Sequence, residues 1–190
     1  MKNYVLCAAV AASGLIAVPA AAQTAASDGG ARVELFAGYD NISVDLEDLG
    51  VDESVDDQGA VVGIGFGYDF PLGEAMLAGL DVEASESTIH EGDSTDGAVS
   101  VNRDLYVGGR LTFAAGGNVR LYVKGGYTNL RVKAELDGNS ESASADGFRV
   151  GVGGQIPLKG EAYLGGEFRY SNYEADVSRN QVVMTLGTRF

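Results

Sequence analysis

The chain has 190 residues and carries 27 acids against 13 bases, a net charge of −14 at pH 7. That surplus excludes a nucleic-acid partner, because phosphates would be repelled. One histidine and one cysteine leave almost no material for a His/Cys metal site, a disulfide or thiol catalysis, so no cofactor is expected.

Residues 1–22 have the layout of an export leader. Lys2 supplies the positive start, Tyr4 to Val18 an apolar run, and Ala20-Ala21-Ala22 a small-residue cleavage site before Gln23. The run is shorter than the ~20 residues a spanning helix needs. Cys7 lies too early for a lipid-attachment site, so the exported chain is expected to hold no cysteine. The domain reading is therefore a signal peptide over 1–22 and one β domain over 23–190.

From there one pattern repeats: about ten residues of period-2 alternation, then a connection, with long and short connections taking turns. The first predicted strand (about 32–40) sets Val33, Leu35, Ala37 and Tyr39 against Glu34, Phe36 and Gly38. An acidic connection, Asn41 to Gln58, follows. The second (about 59–70) alternates most cleanly, with Ala60, Val62, Ile64, Phe66, Tyr68 and Phe70 opposite a glycine-rich face ending in Asp69. Pro71-Leu72-Gly73-Glu74 is a tight turn. The third (about 76–86) places Leu80 and Val82 opposite Asp81 and Glu83, and the connection Ser87 to Ser100 contains His90.

The fourth (about 101–113) sets Leu105, Val107, Leu111 and Phe113 against Asp104, Tyr106, Gly108, Arg110 and Thr112, and Ala115 to Asn118 is a second short turn. The fifth (about 119–136) starts with Leu121, Val123 and Tyr127 against Tyr122, Lys124 and Gly126. Its apolar phase then inverts at Leu130, which predicts either a bulge near Asn129 or a hairpin arm projecting from the membrane. Asp137 to Asp146 has loop composition. The sixth (about 147–158) sets Phe148, Val150, Val152 and Ile156 against Arg149, Gly151, Gly153 and Gln155; Lys159 to Glu161 is the third short turn. The seventh (about 162–173) sets Leu164, Phe168 and Tyr170 against Tyr163, Glu167, Arg169 and Ser171. The eighth runs to the last residue, with Val182, Met184, Leu186, Thr188 and Phe190 on one face.

A water-soluble eight-stranded barrel would show the same alternation inside out. Three features favour lipid on the outside. Mid-strand glycines crowd the polar face, where they would only weaken a solvated strand but make room inside a narrow barrel. Aromatics gather at both ends of the apolar face: Tyr68, Phe70, Phe113 and Phe190 at the turn end, Tyr39, Tyr127, Phe148 and Tyr170 near the loop end. The short-turn, long-loop asymmetry is the rule in outer-membrane barrels. The fold class is therefore all-β, an eight-stranded antiparallel up-and-down transmembrane β-barrel.

The closing stretch Gln181–Phe190, with apolar residues at alternate positions and a final aromatic, resembles the last strand of outer-membrane barrels. Over residues 31–190 the architecture resembles the small eight-stranded outer-membrane β-barrel family, which includes the membrane domain of outer membrane protein A, outer membrane protein X and opacity-like surface proteins. The resemblance implies that Val182, Met184, Leu186, Thr188 and Phe190 act as an assembly signal. It implies outer-membrane lipid and lipopolysaccharide as surroundings, periplasmic chaperones and the barrel assembly machinery as partners, and a monomer in the cell outer membrane. Because the sequence stops at Phe190, a peptidoglycan-binding domain and its cell-wall tether are not expected.

Candidate chemistry is sparse. Asp45, Glu47, Gly50, Glu53 and Asp56 fall at calcium-loop offsets, but Leu49 stands where an oxygen ligand belongs and the flanks read as strands, so a solvated acidic loop is preferred. His90, Asp93 and Ser94 invite a lipid-modifying triad, yet nothing in the sequence fixes their geometry. Charges on the glycine-rich face carry more information. Asp81, Glu83, Arg110, Lys124, Glu167 and Arg169 are expected to pair inside the barrel, because isolated buried charge costs several kcal/mol. The functional expectation is a structural and surface-contact, adhesion-like role without enzymatic activity. The alternatives are a small gated pore and, behind it, a lipid A-modifying enzyme.

Overall fold

The computed structural model describes residues 29–45, 54–88, 90–91, 98–116, 118–136, 139–174 and 177–190. The proposed leader, Asp93 and Ser94 lie outside them, as does most of the calcium-like stretch. Eight strands form the barrel: β1 (Gly30–Asp45), β2 (Ser54–Pro71), β3 (Met76–Ser87), β4 (Ala98–Ala114), β5 (Arg120–Leu136), β6 (Asn139–Pro157), β7 (Ala162–Tyr173) and β8 (Val177–Arg189). His90–Glu91 continues the β3 side as a two-residue pair against β4.

Every strand pairs antiparallel with its neighbours in sequence, and β1 pairs with β8, placing Tyr39 opposite Val182. The Phe190 N–H donates to the Ala31 carbonyl at 2.9 Å, so the ladder is satisfied to the last residue. Closure leaves no edge inside the membrane, which is the condition for a β structure to sit in lipid. Backbone bonds close the three short turns, such as Leu72 N–H to Met76 O at 2.9 Å, and among the described residues each turn holds a glycine at positive φ (Gly73, Gly116 and Gly160).

The barrel is inside out relative to a soluble one. Leu35, Phe66, Leu80, Val82, Met184 and Leu186 are each more than half exposed, whereas Arg32, Arg149, Arg169 and Arg179 are among the most deeply buried side chains. Apolar residues outside and arginines inside fit a hydrocarbon surround, and no arrangement in water would keep that pattern.

Beyond the membrane the strands run further than the sequence suggests. β1 and β2 extend into the predicted Asn41–Gln58 connection, pairing as far as Asp45 with Ser54. The Asp137–Asp146 segment, read as a loop, is strand from Asn139 onward and pairs with β5 up to Leu136. His90, expected in a loop, pairs with Ser100. The composition misled because an arm outside the bilayer has no lipid-facing row of apolar residues, so no sustained alternation marks it as a strand.

The phase inversion in β5 comes from a projecting arm and not from a bulge at Asn129. The β5–β6 register is unbroken, and the irregularity lies on the other side, in β4 between Val101 and Arg103. Thr128 and Leu130 both point inward. What changes at this height is which face is dry: lipid ends, and the inner face of the arm covers the barrel mouth.

Candidate functional site

Alternation delivers every second side chain of each strand into the lumen. Among the described residues seven acids and seven bases are buried there, and they sort into three layers along the axis. At the turn end Arg32, Arg110 and Arg189 meet Glu34, Asp69 and Asp81. Arg110 is bidentate to Glu34 (3.1 and 3.2 Å) and donates from Nε to Asp81 at 2.8 Å. Arg32 bridges Asp69 and Asp81, while Arg189 reaches Asp69 and Gln155. The Tyr163 hydroxyl donates to Glu34 at 2.8 Å.

The middle layer holds Lys124 and Arg169 with Glu83 and Glu167. Lys124 Nζ lies 2.5 Å from Glu83 and 2.7 Å from Glu167. Arg169 lies 3.1 Å from Glu83 and 2.6 Å from Glu167, which also accepts from the Tyr122 hydroxyl at 2.7 Å. The outer layer joins Arg149 and Arg179 to Asp40 and Asp104. Arg179 donates to Asp40 at 2.8 and 2.5 Å and to Asp104 at 2.7 Å, and Arg149 also bonds Asp104. Thr128 and Tyr173 donate to Asp104 as well. Each layer is neutral by itself.

Above the outer layer Ile42, Leu130 and Tyr173 pack together, with Ala145 and Val177 against them, and form an apolar cap over the charges. Glycine makes the dense filling possible. A Cβ at Gly153 would fall within the Tyr122 ring, and one at Gly67 within the Arg32 guanidinium. Aromatic faces supply further cation partners: Arg110 lies 4.2 Å from the Tyr122 ring centre and Arg169 4.2 Å from that of Phe36.

The structure brings the six predicted interior residues together in two clusters, Asp81 with Arg110 and Glu83, Lys124, Glu167 with Arg169. Sequence reasoning missed Arg32, Glu34, Asp40, Asp69, Asp104, Arg149, Arg179 and Arg189. All but Arg179 stood on the polar face of a predicted strand, Asp40 as the last residue of the first one, so the same period-2 rule would have found them; Arg179 lies where the start of the last strand was drawn too late. Val182, Met184, Leu186, Thr188 and Phe190 share the lipid-facing side of β8, with Phe190 at 76% exposure.

The outer end is chemically different. With the lumen neutral, the net charge resides elsewhere, and most of the remaining acids belong to the segments at the loop end. Arg103, Arg131 and Lys133 are the bases there. Just beyond the outer aromatics Asp146 accepts from Tyr127 and Asn129, both at 2.6 Å, and these bonds hold its carboxyl below the ordinary range.

A closed barrel with an apolar exterior, two aromatic rims and a neutral charged core defines an integral outer-membrane protein. The chain belongs to the outer membrane protein β-barrel domain family, whose model matches residues 8–190. It is similar in fold to Ail, the attachment invasion locus protein of Yersinia pestis, solved with the heparin analogue sucrose octasulfate: 17% identity, TM-score 0.64, covering 86% of this chain and 99% of that one. Neisserial surface protein A is similar to the same degree, at 16% identity and TM-score 0.64, with 85% and 97% covered. No curated protein matches. The location is the cell outer membrane.

Proposed function

We propose that the protein is a non-conducting, non-enzymatic barrel that strengthens the outer membrane and presents an acidic outer end for contact with cationic partners. The observation that supports it most is the division of charge: neutral layer by layer within the lumen, strongly acidic at the loop end. An eight-stranded interior is only wide enough for side chains to fill it, and here paired charges and an apolar cap occupy it. Lipopolysaccharide contact through bridging divalent cations fits the same acidity. The same reading takes the barrel to be a monomer, delivered by periplasmic chaperones to the assembly machinery with β8 as signal, after removal of residues 1–22 on export.

The similar barrel from Yersinia pestis was solved with a polysulfate; an acidic end would repel such a ligand. The test is retention of the purified barrel at low salt on immobilised oligolysine and on heparin. Retention on oligolysine that disappears by about 0.5 M salt, with none on heparin, is expected. Binding to heparin, or a stable open conductance in planar bilayers, refutes the reading; the latter would favour the small pore.

A further inference from the structure

Two like charges share the outer surface of the barrel wall. Arg103 on β4 and Arg131 on β5 stand directly opposite each other in the ladder, and both are exposed. Alternation fixes their side. Asp104 and Leu130 next to them turn inward, so the arginines look outward, on the face that carries Leu105, Val107 and Tyr127 lower down. Like charges placed opposite each other destabilise a strand pair. Among the described residues neither guanidinium has an acid partner. Asp104 is committed inside to Arg149 and Arg179, and Asp146 on β6 accepts from Tyr127 and Asn129.

Their height shows what they face. Tyr127 and Phe148, paired across β5 and β6, mark the outer aromatic rim. Arg131 lies beyond Tyr127 by about 13 Å along a strand that rises ~3.3 Å per residue, and by about 10 Å in height at the usual tilt. That is the outer limit of the headgroup layer, and long side chains reach back into it. Inward of Tyr127 the same two strands carry Gly125 opposite Gly109. The row continues to Leu80 on one side and Val150 on the other, so two glycines floor a groove between apolar ridges. The groove has a volume of about 370 Å³, and Ala78, Leu111 and Val123 complete its lipid-facing lining. Groove and arginine pair thus lie on the same two strands, about 20 Å apart along them.

We propose that this side of the barrel holds one lipid with a net negative phosphate head, its phosphate clamped by Arg103 and Arg131 and one acyl chain laid over Gly109 and Gly125. A guanidinium matches a phosphate with two parallel N–H donors, and the bonds are charge-assisted. The bound anion removes the repulsion between the arginines, and the glycines let a chain lie against the backbone. The clamp faces sideways into the membrane and needs no bridging metal. It therefore goes beyond the acidic contact surface proposed above and does not depend on it.

The test is native mass spectrometry of the full barrel in detergent, with and without EDTA. The protein is titrated with phosphatidylglycerol and with phosphatidylcholine of the same chains. Phosphatidylglycerol should bind about tenfold more tightly. Arg103→Gln combined with Arg131→Gln should erase that preference, with heat-dependent gel mobility confirming a folded barrel. Gly109→Leu fills the groove, so it should weaken both lipids alike and keep the preference. Inorganic phosphate should not displace the lipid, because it has no chain. No binding, or equal affinity for the two lipids in wild type, overturns the proposal whether or not the variants fold. So does a preference that survives the double substitution or that EDTA abolishes. Lipid binding unchanged by Gly109→Leu, or displacement by inorganic phosphate, overturns it as well.

Discussion

Lys124 is the most informative residue to perturb. It serves two carboxylates that share one other cation: Glu83 and Glu167 accept from Lys124 at 2.5 and 2.7 Å, and both also contact Arg169. In Lys124→Met the stem volume is nearly kept, but the layer's two buried carboxylates are left with Arg169 alone at short range, Arg149 lying 3.8 Å from Glu83 and already paired with Asp104. Removing one partner of a buried ion pair costs about 3–5 kcal/mol, because the charge left behind stays desolvated. Two routes lower the cost: one carboxyl takes a proton, or water enters the layer. A net loss of about 3 kcal/mol in the folded barrel follows. With a urea slope of about 1–3 kcal/mol per M, the unfolding midpoint should fall by roughly 1–3 M.

Neutrality, rather than any single contact, is the quantity at stake, and a cycle isolates it. Glu167→Gln alone leaves Lys124 and Arg169 facing Glu83, with Arg149 a further 3.8 Å contact, and it too should destabilise. The combination Lys124→Met with Glu167→Gln leaves Arg169 paired with Glu83, and the Tyr122 hydroxyl can still donate to the new amide oxygen. The double variant should recover about 2 kcal/mol of the summed losses, the coupling expected of members of one buried network. Urea titration followed by the mobility of folded and unfolded bands measures all four proteins. Single variants within about 0.5 kcal/mol of wild type, or a double variant that merely adds the two losses, would refute the argument that layer neutrality holds the barrel.

Other predictions concern the wall, the seam and the orientation. Gly153→Val should destabilise by about 1–3 kcal/mol by overpacking against Tyr122, whereas Gly109→Ala on the lipid face, with the nearest atom 3.8 Å away, should be tolerated within about 0.5 kcal/mol in the same titration. Deleting Phe190 should lower the amount of barrel in the outer membrane of cells much more than the yield of refolding in detergent; equal membrane levels would refute a signalling role. A cysteine at Ser54, at the outer start of β2, should react with an impermeant maleimide on intact cells, and labelling only after lysis would mean the opposite orientation.

Most of the fold was legible because the membrane makes the pattern binary. Wherever lipid lies on one side and packed charge on the other, as along Ala60 to Phe70 or Val182 to Phe190, alternation fixed strand, facing and height together. Legibility ended where the lipid ended. Ser140 to Asp146 carries no apolar alternation in its sequence, so a paired strand there reads as a loop. At Leu130 the dry face moves inward, so an unbroken strand reads as a slip. The lumen was read through its mid-strand charges only. Arg179, which closes the outer layer with Asp40, sits at a height where composition no longer distinguishes strand from connection.

The layered neutrality also explains how an acidic chain makes a membrane barrel at all. A spanning structure needs its buried charge paired at contact distance, because each charge taken out of water without a hydrogen-bonded partner costs several kcal/mol. Here each of the three layers draws its cations and anions from different strands: Arg110 on β4 meets Glu34 on β1, Lys124 on β5 meets Glu83 on β3, and Arg179 on β8 meets Asp104 on β4. These pairs cross the lumen between strands far apart in sequence, so they form only when the barrel is closed and in register. A one-residue slip of any strand would turn its charges into lipid and its apolar residues onto the network. The charges thus select one register among many that the apolar face alone would accept. With that register fixed, the surplus of acid has nowhere to go but the connections outside the bilayer.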